Sequence, residues 1–214
     1  MTAEPAPARP RRTGILGGTF DPPHLAHLVL AEAAREALHL DRVLFVPAGD
    51  PWRKADRRVT PAAIRLELVR VAVAALPWAE VSTVEFDREG PSYTADTVEA
   101  LVVAGEPDEA WWFILGADAL ADMAYWHEPQ RIVARARLAV AQRPGREGEP
   151  LVTEALRAVL PDIEARIDLL PMALTDLSAT AIRARVRAGE STEGMLATQV
   201  REAVDRIGLY RDAD

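Results

Sequence analysis

Apolar residues fall in short blocks along this chain, and more mixed stretches separate them. Blocks at residues 14–16, 42–46, 111–115, 138–141 and 167–170 are nearly continuous, as strands buried on both faces would be. A sixth block, 81–86, alternates apolar and polar positions in the manner of a half-buried strand. Helical spacing predominates between them. It predicts helices over residues 28–38, 60–76, 95–103, 151–160, 178–187 and 195–207. The second opens on Thr60-Pro61, a capping residue followed by a first-turn proline, and puts Ile64, Leu68, Val71 and Ala75 on one face. Strands that alternate with helices predict an α/β fold: a Rossmann-like parallel sheet with helices on both faces. The last two helices follow the last strand, so residues 171–214 read as a small C-terminal helical part of one domain spanning 13–214. Residues 1–12 are rich in Pro, Ala and Arg and read as a disordered N-terminal arm.

Composition narrows the function. The chain has no cysteine, which removes disulfides, thiolate zinc sites and cysteine nucleophiles, and suits a reducing, cytoplasmic setting. A formal net charge of −8 argues against nonspecific nucleic-acid binding but leaves room for a small basic pocket. No apolar run approaches the ~20 residues of a membrane span, and no apolar core of a signal peptide is present. Lys54 is the only lysine; arginine supplies every other cationic side chain.

The most informative stretch is Gly17-Gly18-Thr19-Phe20-Asp21-Pro22-Pro23-His24-Leu25-Ala26-His27. It joins the first strand to the first helix. Glycines there let the backbone approach a ligand, and the first-turn N–H groups of a helix lack intrahelical partners, so this is a place for an anion. His24 and His27, three apart, share one helix face and could hold two oxygens of one phosphate chain. A second stretch, Ser178-Ala179-Thr180-Ala181-Ile182-Arg183, puts hydroxyls, free N–H groups and a guanidinium at another helix start, which suits a polyphosphate. Other chemistries lack their motifs. There is no Gly-x4-Gly-Lys-Ser/Thr, no Gly-x-Gly-x-x-Gly at the first turn, no His-Glu-x-x-His and no Gly-x-Ser-x-Gly. With four histidines, two of them (His39 and His127) remote in sequence, no protein-ligated metal is expected.

The first stretch resembles the His-x-Gly-His signature of the nucleotidyltransferase superfamily, and the fuller Gly-Gly-Thr-Phe-Asp-Pro-Pro-His resembles the bacterial nicotinate-mononucleotide adenylyltransferases. The second resembles that family's Ser-Ser/Ala-Thr-x-Ile-Arg motif. Further likenesses are Ser92-Tyr93-Thr94, Gly116-Ala117-Asp118, Tyr125-Trp126-His127, Arg143-Pro144-Gly145 and Gly208-Leu209-Tyr210. The resemblance implies an enzyme that moves an adenylyl group from ATP to nicotinate mononucleotide, with substrate-bound Mg²⁺. It implies catalytic roles for His24, His27 and Arg183. It implies ATP contacts from Gly17, Gly18, Thr19, Phe20, His24, His27, Ser178, Thr180 and Arg183, and acceptor contacts from Lys54, Thr94, Asp118 and Trp126. Assembly into a homo-oligomer is compatible with it. Two departures stand out: Ala26 replaces the motif glycine, and Pro51-Trp52-Arg53-Lys54 replaces a Pro-Pro-His-Lys loop. The rival readings are the same transfer to nicotinamide mononucleotide or another phosphate acceptor, and a catalytically silent nucleotide-binding regulator.

Overall fold

The computed structural model describes residues 9–51, 59–88, 90–142, 150–173 and 177–211. Six parallel strands form one sheet: β1 (Arg12–Gly18), β2 (Arg42–Pro47), β3 (Ala79–Val81), β4 (Ala110–Gly116), β5 (Arg137–Gln142) and β6 (Ile167–Ala173). Their spatial order is β3-β2-β1-β4-β5-β6. The chain builds outward from β1 through β3, then returns to lay β4 on the other side of β1. The order reverses there, and the carboxyl ends of β1 and β4 part to leave a crevice.

Both faces of the sheet are buried, which explains the continuous apolar runs. Ile15, Leu44, Val46, Trp111, Phe113, Leu115, Leu138 and Val140 face one core. Their neighbours Leu16, Val43, Phe45, Trp112, Ile114, Ala139 and Ala141 face the other. Among the described residues there are eight α-helices: α1 (Leu25–Leu38), α2 (Ala62–Val73), α3 (Thr94–Ala104), α4 (Ala117–Asp122), α5 (Pro129–Arg135), α6 (Glu154–Val159), α7 (Ala179–Arg187) and α8 (Thr198–Ile207); the first six cover the sheet, and the last two pack on α2. Ala31 and Ala34 of α1 are fully buried, so that helix lies close on the sheet. His39 ends α1 in the left-handed conformation, φ 50°, an ordinary helix stop. Adjacent residues of α2 face different cores: Val69 packs on the sheet, while Leu68 joins Ile182, Leu196, Val200 and Val204 of the C-terminal part.

Several sequence expectations need correction. The alternating block 81–86 is not a strand. Its ladder ends where the Ser82 N–H donates to the Phe45 carbonyl, and a turn follows in which the Phe86 N–H donates to the Thr83 carbonyl. Strand β3 lies earlier, at Ala79–Val81. Helix α2 starts after Pro61 and stops at Val73, since Thr60 is held by other contacts. Helix α6 starts at Glu154 because the Thr153 Oγ caps it, accepting from the Leu156 N–H at 3.1 Å. Helix α8 starts at Thr198 rather than 195. Strand β6 runs to Ala173, so helix begins later than residue 171. Helices α4 and α5 are additions that the apolar pattern does not predict. Residues 9–12 of the expected arm touch the sheet: Arg9 pairs with Asp41 at 2.6 Å, and Arg12 begins β1. Residues 1–8 lie outside the described residues, as does the Arg143-Pro144-Gly145 likeness.

Candidate active site

A cavity of about 440 Å³ opens where β1 and β4 end. Gly17, Gly18 and Thr19 form one wall, and Phe113 to Gly116 of β4 form another. Ala48 and Pro51 come from the exit of β2, and His27 from the first turn of α1. Glu85, Ser92, Thr94, Thr97 and Trp126 complete it. Mostly apolar, with a few polar groups that converge, it has the character of a nucleotide-sized site.

The turn after β1 sets the histidines. Phe20 adopts φ 50°, a left-handed conformation that costs a bulky residue roughly 1 kcal/mol or more. Packing holds it there, its ring 4.8 Å from His27 and 6.1 Å from Phe45. Asp21 and Pro22 are joined by a cis peptide bond. His24 occupies the N-cap position of α1 and His27 the third position of the helix. The His24 N–H donates to His27 Nδ1 at 3.1 Å, and the His27 N–H donates to the His24 carbonyl at 2.9 Å. An Nδ1 that accepts carries no proton, so the His27 proton sits on Nε2. The two rings stack with centroids 3.7 Å apart and planes 25° from parallel. His24 is buried, and burial lowers its pKa to about 4. It is therefore neutral at physiological pH. Among the described residues its Nδ1 is a buried polar atom without a hydrogen-bond partner, as is Trp126 Nε1.

Asp21, buried behind the histidines, gathers distant parts of the chain. Its Oδ1 accepts from the Tyr210 hydroxyl at 2.7 Å, and its Oδ2 from the Thr60 N–H at 3.3 Å. The Arg183 Nη1 donates to its carbonyl at 2.9 Å. Helix α7 is thus docked on the histidine turn through the arginine that the sequence singles out. The Leu25 N–H also donates to the Met195 carbonyl at 2.9 Å. On the opposite wall, buried Glu85 accepts from the Thr97 hydroxyl at 2.7 Å and the Gly49 N–H at 3.2 Å. Gly49 must be glycine here, because a Cβ would stand 2.4 Å from the Glu85 carbonyl oxygen.

Of the residues selected from sequence, Gly17, Gly18, Thr19, His27, Thr94 and Trp126 line the cavity. His24 and Phe20 lie directly against His27. Trp126 presents its ring at 87° to Phe113, centroids 6.0 Å apart. Ser178 caps α7, its Oγ accepting from the Ala181 N–H at 3.2 Å, and with Thr180 it is exposed and outside the cavity lining. Asp118 is exposed in the first turn of α4, also outside that lining. Lys54, Trp52 and Arg53 lie outside the described residues. Sequence reading missed Arg65 and Glu85 and gave Asp21 no role. An arginine near a helix start and a glutamate in an alternating block carry no local signal of burial.

A parallel sheet of this order, with a histidine pair at its switch point, is an α/β nucleotide-binding type of framework. Residues 15–185 match the family model described as "Cytidylyltransferase-like". A "Probable nicotinate-nucleotide adenylyltransferase" of Thermomicrobium roseum is 40% identical over 95% of this chain and 93% of its own. One of Bordetella petrii, described in the same words, is 42% identical over 94% of this chain and 100% of its own. The chain belongs to this family of nicotinate-nucleotide adenylyltransferases. The fold likewise matches the solved structure of Plasmodium falciparum nicotinic acid mononucleotide adenylyltransferase complexed with NaAD, with a TM-score of 0.72 at 16% identity, covering 94% of this chain and 97% of that one.

Proposed function

We propose that the protein transfers the adenylyl group of ATP to nicotinate mononucleotide, giving deamido-NAD and pyrophosphate. The observation that carries this reading is the stacked His24–His27 pair, with His24 buried and neutral, at the amino end of α1, against a cavity that spans β1 and β4. A phosphate oxygen of the acceptor forms a bond to the α-phosphorus of ATP. The bond from that phosphorus to the bridging oxygen breaks, and pyrophosphate leaves with the electron pair. The attacking phosphate is already ionised near neutral pH, so no side chain need take a proton. Positioning and charge stabilisation carry the catalysis.

His27 supplies an Nε2–H donor whose direction is fixed by the bond at Nδ1. His24, neutral and immobilised, supplies a second. Such donors stabilise charge developing on the phosphates without reorganising during the step. Arg183, anchored through one nitrogen to Asp21, would bring its charge to the triphosphate. Ser178 and Thr180 would flank it, and Lys54 would reach a phosphate. Thr94 and Trp126 would shape the acceptor side, with Asp118 at its rim. Among the described residues no three His, Asp or Glu side chains gather as a metal cage. Mg²⁺, if bound with the substrate, would be held by triphosphate oxygens and water and would neutralise phosphate charge. Among the described residues no helix is long and apolar enough to cross a membrane.

The competing acceptor is nicotinamide mononucleotide. Glu85 in the cavity wall is the observation that favours it, since a carboxyl oxygen there could accept from a ring carboxamide N–H. Incubation of the protein with Mg-ATP and either mononucleotide, followed by mass identification of the product, tests the proposal. Deamido-NAD from the acid supports it; NAD from the amide alone would transfer the assignment to the amide.

A further inference from the structure

Arg65 is the largest fully buried side chain among the described residues, 1% exposed, and it sits in the first turns of α2 rather than at the cavity. Its guanidinium donates to three backbone carbonyls: Nε to Thr60 at 2.8 Å, Nη1 to Thr19 at 2.8 Å and Nη2 to Gly49 at 3.2 Å. Those carbonyls belong to the turn after β1, the turn after β2 and the lead into α2. Asp21 and Glu85 supply opposing charge nearby. The Gly49 residue is gripped from both ends, its carbonyl by Arg65 and its N–H by Glu85.

Burying a guanidinium carries a desolvation cost that an apolar side chain would avoid. A planar fork, however, can fix three backbone segments at set distances, which a lysine ammonium on its flexible stem cannot. Two of the three segments carry cavity walls: Thr19 lines it directly, and Ala48 and Pro51 flank Gly49.

We infer that Arg65 is a positioning residue that holds the Thr19 turn and the Gly49 turn at the separation needed to align the two substrates. This inference rests on the adenylyl-transfer reading. Misalignment of two bound reactants lowers turnover while each binding surface remains intact. Arg65→Lys keeps the charge and breaks the fork. Its turnover falls about 10- to 100-fold, with the KM values of ATP and nicotinate mononucleotide changed by less than about threefold. Calorimetric titration with ATP alone still counts one site per chain. A merely structural role would instead reduce the number of competent sites and leave turnover per site unchanged.

Wild-type protein is assayed first. No pyrophosphate release from it refutes the transfer reading itself. Normal wild-type release with normal turnover per site in Arg65→Lys overturns only the role of Arg65. Gly49→Ala, which displaces the turn that Arg65 holds while keeping arginine at position 65, is measured in parallel and decides the matter if Arg65→Lys does not fold. A turnover defect at full ATP stoichiometry supports the inference. Normal turnover, or loss of folding in both variants, assigns the cluster to stability and overturns it.

Discussion

Burial of an uncharged His24 makes stability depend on pH in a window of its own. The residue is 8% exposed, its ring lies 3.7 Å from the His27 ring, and desolvation lowers its pKa from 6.5 to about 4. A histidine with a depressed folded pKa binds its proton more tightly when unfolded. Its contribution is therefore complete above the unfolded value of 6.5 and is lost as pH falls toward about 4. A tenfold difference in proton affinity between the folded and unfolded chain is worth about 1.4 kcal/mol, so the fall from 6.5 to about 4 corresponds to about 3 kcal/mol, of which about 2 kcal/mol is gone by about pH 5. For a chain of this length that is a fall in Tm of about 4–8 °C between about pH 8 and pH 5. Carboxylates held by arginine, such as Asp168 with Arg137 and Glu109 with Thr13 and Arg42, have lowered pKa values and lose their contribution at more acidic pH. The window above about pH 5 therefore belongs to histidine. Thermal melts of wild type and His24→Asn from pH 8 to 5 isolate this contribution, because His27, His39 and His127 are common to both. The variant melts with a shallower pH dependence by about 2 kcal/mol. Parallel curves would refute the buried, neutral state of His24.

Three further outcomes follow from the same geometry. His27→Ala removes one directed donor and lowers turnover about 10²-fold, read by steady-state pyrophosphate release; turnover within about threefold of wild type would exclude the role. Tyr210→Phe removes the hydroxyl that donates to Asp21 at 2.7 Å, a bond to a buried carboxylate worth about 1.5–3 kcal/mol, so Tm drops by several degrees in a calorimetric scan. An unchanged Tm would show that Asp21 finds another donor. Arg183→Ala loses the tie to the Asp21 carbonyl and, on the proposed role, a charge for the triphosphate, so the KM of ATP rises about 10-fold or more and the salt sensitivity of ATP binding weakens in titrations over ionic strength.

The sheet was legible in the sequence because parallel strands covered on both faces read as unbroken apolar runs. Residues 111–115 and 138–141 show this plainly. Block 81–86 misled because period-2 alternation also suits a turn that sends one polar residue inward; here Glu85 goes into the cavity wall. Helices α4 and α5 escaped notice since six or seven residues hold too few turns for a period to emerge. The histidine turn could be read because it is local: strand, glycines, capping histidine and helix follow one another. The parts that join it to the rest are long-range. Tyr210 meets Asp21 across 189 positions, and Arg65 meets Thr19 across 46. No spacing rule links such residues, and their partners are backbone or a buried carboxylate that composition cannot reveal.

Acceptor choice bears most directly on the proposed chemistry. It is tested by pyrophosphate release from Mg-ATP under matched conditions, with nicotinate mononucleotide against nicotinamide mononucleotide. A kcat/KM about 10- to 100-fold higher for the acid is the predicted result, on the scale of one hydrogen bond to a charged group, about 1.5–3 kcal/mol. ATP binding with no pyrophosphate released by either acceptor would contradict adenylyl transfer and leave a nucleotide-binding regulator on the same fold.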